Sequence, residues 1–398
     1  MSAQKDYSPF TPGQPVPPES FVGRQELVVK LNAKVGAAAS GRLQVAFISG
    51  ERGIGKSSLM SFVRVLAERE KGLVGTQVFL GGVKSLDEAM RKIMLQIVRD
   101  CADKSWFSDI ASLFGSRIKK VGFFGASIDL ESRKDDLDVL KNDFAGSIRL
   151  VIGKFPEDRQ ALLLVLDDIN GLAENAEFAN WLKSFVDGVA TSGKSLPLML
   201  VLVGLEERRQ SLIALQASLD RVLDVIPMTT WSDGETKNFF EETFGKVALP
   251  VDARALEALS VFAGGLPVLA HEIGEATFFA NTDDRIDHGD AISGALAAAD
   301  VVGRKYLQPK VFEAIRSPRY LSILRNLAKF SNDRRFSRSQ LLEKSSGDEA
   351  KVVDNFLQKM RELQVIAQDK EGGPGAYVFC SALHQLYFFI EARRSEKK

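Results

Sequence analysis

The sequence predicts an α/β protein in which a parallel sheet is covered by helices on both faces and is followed by a helical lid and a winged helix-turn-helix. Three observations predict it. Up to about Trp231, short apolar runs of strand length alternate with helical stretches, the pattern of buried parallel strands joined by helical crossovers. From Ser232 to about Asp300 the composition turns alanine-rich and strand-like runs cease, which reads as a small helical domain. From about Pro318, three helical segments precede two short strands around a glycine turn, the element order of a winged helix.

The bulk properties bound these expectations. A chain of 398 residues exceeds what one hydrophobic core usually serves. Four divisions are expected: an extended arm over 1–20, a nucleotide-binding domain over 21–231, a helical lid over 232–305 and a winged helix over 310–398. Basic and acidic residues balance at 52 each, so the whole chain exerts no electrostatic pull on nucleic acid or anionic membrane. Cys101 and Cys380 are far apart, which fits a reducing compartment better than a disulfide framework. The first residues lack a basic-then-apolar leader, and the longest apolar stretch, Leu196 to Val203, falls far short of the roughly 20 residues that span a bilayer. A cytoplasmic protein without membrane insertion is expected. His271, His288 and His384 make no zinc-ligand spacing with each other or with the cysteines, and each reads as structural.

In chain order, SPFTPGQPVPPESFVGR places five prolines before Ser20, which favours an extended arm. Four buried strands follow: LQVAFISG ending at Gly50, GTQVFLGG near Phe79, ALLLVLDD ending at Asp168 and LPLMLVLVG ending at Gly204. The alternating KKVGFFGASIDLE, Lys119 to Glu131, reads as a hairpin decorating the core. In the last unit the helices are RYLSILRNLAKF, SRSQLLEK and EAKVVDNFLQKMREL, and the strands flank EGGPG.

The chemistry concentrates at GERGIGKS, Gly50 to Ser57. It fits G-x-x-x-x-G-K-[ST], follows an apolar strand and opens a helix, as a P-loop requires. Gly50, Gly53 and Gly55 let the backbone turn so that consecutive N–H groups, through Arg52, Ile54 and on to Ser58, surround phosphate oxygens at the positive end of the helix. Lys56 would reach the β and γ phosphates, and the Ser57 hydroxyl would ligate magnesium. ALLLVLDDIN supplies a second part: Asp167 would hold magnesium through water, and Asp168 would orient or deprotonate the attacking water. There is no N-K-x-D element for guanine and no LSGGQ-like signature. ATP with Mg2+ is therefore the expected ligand pair. A P-loop kinase would need an acceptor site, and none is evident.

FVGRQEL at Phe21 to Leu27, the P-loop, the LDD strand end and GGLP at Gly264 to Pro267 occur in this order. The chain resembles bacterial and archaeal STAND/AAA+ ATPases of the replication-initiator, origin-recognition-like group. The resemblance covers roughly residues 8 to 280, and the winged helix more loosely. It implies that Val22, Gly23 and Arg24 lie against the adenine, although by residue chemistry FVGR is equally a helix start. It implies an arginine finger for a neighbouring subunit's γ-phosphate at Arg221 in DRV, which by chemistry alone is equally a surface arginine. It also implies a base contact at Pro267, where the residue alone reads as helix initiation.

Three features depart from the family's hydrolytic pattern. Gly204 stands where many relatives end the strand with a polar, water-positioning side chain. No arginine occupies LPVLAHEIGE, which leaves His271 as the nearby candidate. The second acid is Asp168 rather than glutamate. Slow turnover and long-lived ATP-bound states are expected.

Two partners remain open for such a switch. Residues 318–398 hold fifteen Lys or Arg against ten Asp or Glu, with Arg334, Arg335 and Arg338 at the turn into the second helix and Lys351, Lys359 and Arg361 on the third. A recognition helix would face duplex DNA there. Asp348, Glu349, Asp354 and Glu362 share that helix, and an excess of five charges suits a protein partner equally well. The first reading is an ATPase that self-associates and grips double-stranded DNA. The second is a STAND signalling or scaffold ATPase of a defence or mobile-element system, whose winged helix binds an effector or sensor protein.

Overall fold

Apolar runs that alternate inward on two faces build the sheet. In the computed structural model, residues 7–102, 104–114, 118–121, 127–130, 134–328, 334–369 and 371–396 are described. The chain divides into two units, Pro15–Thr229 and Met1–Gln14 with Thr230–Lys398.

The first unit runs α1 (Gln25–Ala39), β1 (Gln44–Ser49), α2 (Lys56–Lys71), β2 (Leu73–Phe79), α3 (Leu86–Asp100), α4 (Phe107–Phe114), β3 (Ile118–Val121) and β4 (Ser127–Leu130). It continues through α5 (Lys134–Asn142), α6 (Phe144–Ile152), β5 (Ala161–Asp167), α7 (Ala176–Ser192), β6 (Leu198–Gly204), α8 (Glu206–Leu215) and β7 (Asp224–Pro227). Five strands form one sheet in the order β2-β5-β6-β1-β7, and every pairing in it is parallel. Side chains of successive strand residues point to opposite faces. Phe47, Leu162, Leu164, Leu166, Leu198, Leu200 and Leu202 therefore join one core with α3, α6 and α7. On the other face α1 packs against β1, β5 and β6, and α2 against β2 and β5. Both faces of β5 and β6 are buried along their whole length, which is why they read as continuous apolar runs.

The four strands expected from sequence are all present. The fifth, β7, carries no such signal: it is four residues long, ends in Pro227 and lies at the sheet edge beyond β1, where a proline is tolerated because its missing N–H can face away from the ladder. The expected hairpin is β3 paired antiparallel with β4; its turn lies outside the described residues.

The second unit opens with Phe10, which is buried against Phe239, Phe240, Phe244 and His271. A side chain at Gly274 would collide with the Phe10 ring. Helices α9 (Asp233–Gly245), α10 (Ala253–Ala263), α11 (Pro267–Ala280) and α12 (His288–Val302) follow, with capping boxes at Ser232 and Asp287 fixing the starts of α9 and α12. A π-helical stretch, Gly303–Phe312, leads on. Next come α13 (Pro318–Ala328), β8 (Arg335–Ser337), α14 (Arg338–Glu343), α15 (Gly347–Ala350), α16 (Val353–Glu362), β9 (Ile366–Gln368), β10 (Ala376–Phe379) and α17 (Ala382–Glu396). The three short strands form an antiparallel sheet in the order β8-β10-β9. The last helix, α17, packs on α10 and α12 as well as on α13. No helix among the described residues is long and apolar enough to cross a membrane.

Candidate functional site

In an open parallel sheet, the loops at the carboxyl ends of neighbouring strands converge. Here β6 lies between β1 and β5, with Ser49 in register with Gly204 and Val203 in register with Asp167. The loop after β1 and the acids after β5 are thus brought to one edge, separated by a strand that ends without a side chain.

The loop after β1 is held in the shape that its glycines permit. Gly53 and Gly55 adopt φ of 76° and 91°, the left-handed region that other residues avoid. A side chain at Gly50 would stand 2.9 Å from the Met228 carbonyl. Arg52 is exposed, Ile54 is buried beneath the loop, and Gly55 caps α2 at its positive end. The Lys56 ammonium donates to the carbonyls of Gly50 at 2.8 Å and Glu51 at 2.7 Å, so it lies across its own loop. Burial lowers the Lys56 pKa, against the opposing pull of Asp167 and Asp168.

Two neighbours brace the loop. Gly23 and Arg24 adopt consecutive left-handed conformations, with φ of 81° and 63°, and Arg24, only 7 % exposed, donates to the Ile54 carbonyl at 3.5 Å. The Val22–Arg24 segment therefore adjoins the Gly50–Ser57 loop. The Ser58 hydroxyl accepts from the Val16 N–H at 3.0 Å, which ties the proline-rich segment to the start of α2.

Asp167 is 2 % exposed. Its carboxylate accepts from the Gln77 amide at 2.8 Å. Burial raises its pKa; the Ser57 and Gln77 side chains oppose that, and the charge of Asp168 adds to it. Asp168 is exposed and adopts a left-handed φ of 58°. Its carboxylate accepts from the Asn170 amide, and the Asn170 oxygen accepts from the Leu205 N–H at 3.1 Å. Beyond β6, Arg209 grips the Glu206 carboxylate through Nε at 2.9 Å and Nη2 at 2.7 Å. The Arg209 hydrogen bond holds the Glu206 pKa below the usual carboxylate range, and a hydrogen bond from Ser49 adds to this.

The structure thus brings together Val22, Gly23, Arg24, Gly50 to Ser58, Asp167 and Asp168. Arg221 is exposed at the end of a 3-10 turn, Ala217–Arg221. Pro267 belongs to the second unit, where it is the first residue of α11, just after Gly264 and Gly265 with φ of 58° and 73°. His271 is a packing residue of that unit: 6 % exposed, it accepts from the Thr11 N–H at 3.2 Å, and burial pushes its pKa down to about 4. Sequence reasoning missed Gln77 and Asn170. The signal for Gln77 was a polar residue inside the apolar LVGTQVF; for Asn170 it was a third polar side chain directly after the two acids.

Residues 20–215 match the family model described as the AAA ATPase domain. Those residues are similar to AAA ATPase domains. The glycine-rich loop Gly50–Ser57 lies within the matched residues. No curated protein matches the sequence. Among solved structures, the Walker-type ATPase PABY2304 of Pyrococcus abyssi is similar at 16 % identity and a TM-score of 0.53, over 93 % of this chain and 96 % of that one. The ORC2 protein of Aeropyrum pernix, in its ADPNP-ADP complexes, is similar at 15 % identity and a TM-score of 0.56, over 99 % and 97 %. At such identities the likeness is one of fold.

Proposed function

We propose that this chain binds ATP with magnesium at the P-loop and hydrolyses it slowly, as a self-associating AAA+/STAND switch that acts on a partner through a C-terminal winged helix. The observation that carries the reading is the placement of the P-loop and the two acids, Asp167 and Asp168, at one sheet edge on either side of β6. The backbone N–H groups of Gly50 to Ser58 cradle the phosphates, and Lys56, on leaving the carbonyls of Gly50 and Glu51, meets the β and γ phosphates. Val22, Gly23 and Arg24, beside the loop, form one side of the base pocket.

Ser57 and Asp167 suit magnesium: both offer hard oxygens, the Ser57 side chain is close enough to favour the charged Asp167, and the carboxylate is buried. Among the described residues no cluster of three His, Cys, Asp or Glu could hold a metal. The remaining ligands would be phosphate oxygens and water, as is usual for this ion. Bound there, magnesium would neutralise charge on the phosphates. Asp168 takes the proton of the attacking water. Arg221 is the cation offered to a neighbouring subunit, which its exposure supports, and a finger delivered only on assembly accounts for slow turnover in the monomer.

The order α13, β8, α14, α16, β9, β10 supports the winged-helix reading. Four of the cations that sequence offered to DNA are already paired within the unit: Arg335 with Glu371 and Asp369, Arg338 with Asp354, Lys351 with Asp348, and Lys359 with Glu362. Such pairing flattens the field that would attract a phosphate backbone. It favours an effector or sensor protein over double-stranded DNA, while the net excess of basic residues keeps DNA as the second reading.

Titration of a fluorescent ATP analogue into wild type and Lys56→Ala tests the central assignment. Saturable, magnesium-dependent binding that is lost in the variant is expected. Equal affinity in the two proteins would remove the P-loop from the account.

A further inference from the structure

We infer that Asn170 is a positioning residue for hydrolysis, its side-chain amide fixing the Asp168 carboxylate against the end of β6, where Gly204 supplies no side chain. The inference rests on the proposed role of Asp168 as base.

The amide's orientation follows from its two partners. The Leu205 N–H can only donate, so the Asn170 oxygen faces it at 3.1 Å; the Asn170 nitrogen is then left to donate to Asp168 Oδ1. One side chain therefore ties the end of β5 to the connection leaving β6, its neighbour in the sheet. Asn170 is itself held, because Ile169 before it is fully buried and the turn Ile169–Glu174 is anchored by Asn175, which donates to the Lys84 carbonyl at 2.9 Å.

The neighbouring glycines show the same arrangement from the other side. A β-carbon at Gly204 would stand 3.4 Å from Asn170 Oδ1 and 3.2 Å from the Phe47 ring, so Asn170 fills the space that a side chain from the strand end would use. A β-carbon at Gly81 would stand 3.0 Å from Asp168 Oδ2, so the oxygen that Asn170 leaves unengaged has a side-chain-free margin beside it. An exposed carboxylate on a residue with positive φ would otherwise sample several rotamers. With Oδ1 engaged, Oδ2 is the atom that receives the proton of the attacking water. The water oxygen bonds to the γ-phosphorus as the bond from that phosphorus to the ADP oxygen breaks, and the products are ADP and inorganic phosphate. Loss of such orientation costs on the order of 10- to 100-fold in rate.

Asn170→Ala and Asn170→Asp separate orientation from structure. The aspartate keeps an oxygen for the Leu205 N–H but turns an acceptor, and a like charge, towards Asp168. Steady-state hydrolysis, affinity for a fluorescent ATP analogue and Tm are measured on the full chain at pH 7.5. Expected are a kcat loss of about 10- to 100-fold at pH 7.5 in both variants, with affinity and Tm held. Unchanged kcat, or parallel losses of kcat and affinity, would overturn the inference while leaving Asp168 in place. Absence of hydrolysis by wild type would bring down both.

Discussion

Lys56, Ser57, Asp167 and Asp168 were legible in the sequence because each lies in a short local pattern: a glycine turn between strand and helix, and two acids ending an apolar strand. Gln77 and Asn170 were not, because their importance depends on sheet order. Gln77 reaches Asp167 only since β2 pairs with β5, and Asn170 reaches Leu205 only since β6 lies next to β5. At this scale one prediction concerns metal. Gln77→Leu removes a hydrogen bond that favours the charged form of an already buried Asp167, so magnesium affinity should fall several-fold, more steeply at pH 6 than at pH 8; a magnesium titration at the two values reads it. A second concerns His271. Its pKa is lowered from 6.5 to about 4, so between those values the unfolded chain binds a proton that the native chain refuses. Stability is thereby lost as pH falls from 6.5 towards 4, by up to about 3 kcal/mol from this group. Urea unfolding of His271→Gln beside wild type should show a shallower pH slope across that window; identical slopes would contradict the burial argument.

At the scale of elements, the strands that sequence revealed are those buried on both faces, and the one it hid, β7, is short, at the edge and closed by Pro227. Periodicity reports burial, so a short edge strand with one buried residue in four leaves little trace. Leu164 is fully buried in the middle of β5, and Leu164→Ala should destabilise by about 3 kcal/mol, read as a shift in denaturation midpoint with an unchanged m-value. GGLP gains a structural account independent of nucleotide. Gly264 caps α10 and Pro267 opens α11, the usual asymmetry of glycine after a helix and proline at the start of one. Between them, a side chain at Gly265, with φ of 73°, would collide with the Trp231 carbonyl. Gly265→Ala should therefore cost about 2 kcal/mol or more through strain alone, and unaltered stability would mean that the turn relaxes freely.

For the whole molecule, a neutral chain with a basic C-terminal end leaves the partner to be decided by arrangement rather than by total charge. Sequence could count the excess over residues 318–398 but could not show that Arg335, Arg338, Lys351 and Lys359 face acids of their own unit. Exposed pairs of this kind contribute about 0–1 kcal/mol, so their main consequence is for the surface field. Fluorescence anisotropy of labelled duplex DNA, with ATP or ADP at two salt concentrations, should show weak binding that does not depend on nucleotide. Tight, salt-sensitive binding favoured by ATP would restore the DNA reading.

The central claim is that the loop after β1 and the acids after β5 form one hydrolytic site. The most direct test is phosphate release from ATP and magnesium by wild type and Asp168→Asn, with nucleotide affinity measured on the same samples. Retained affinity with turnover reduced by about 100-fold or more is the predicted result; unchanged turnover in Asp168→Asn would contradict it and place the base elsewhere.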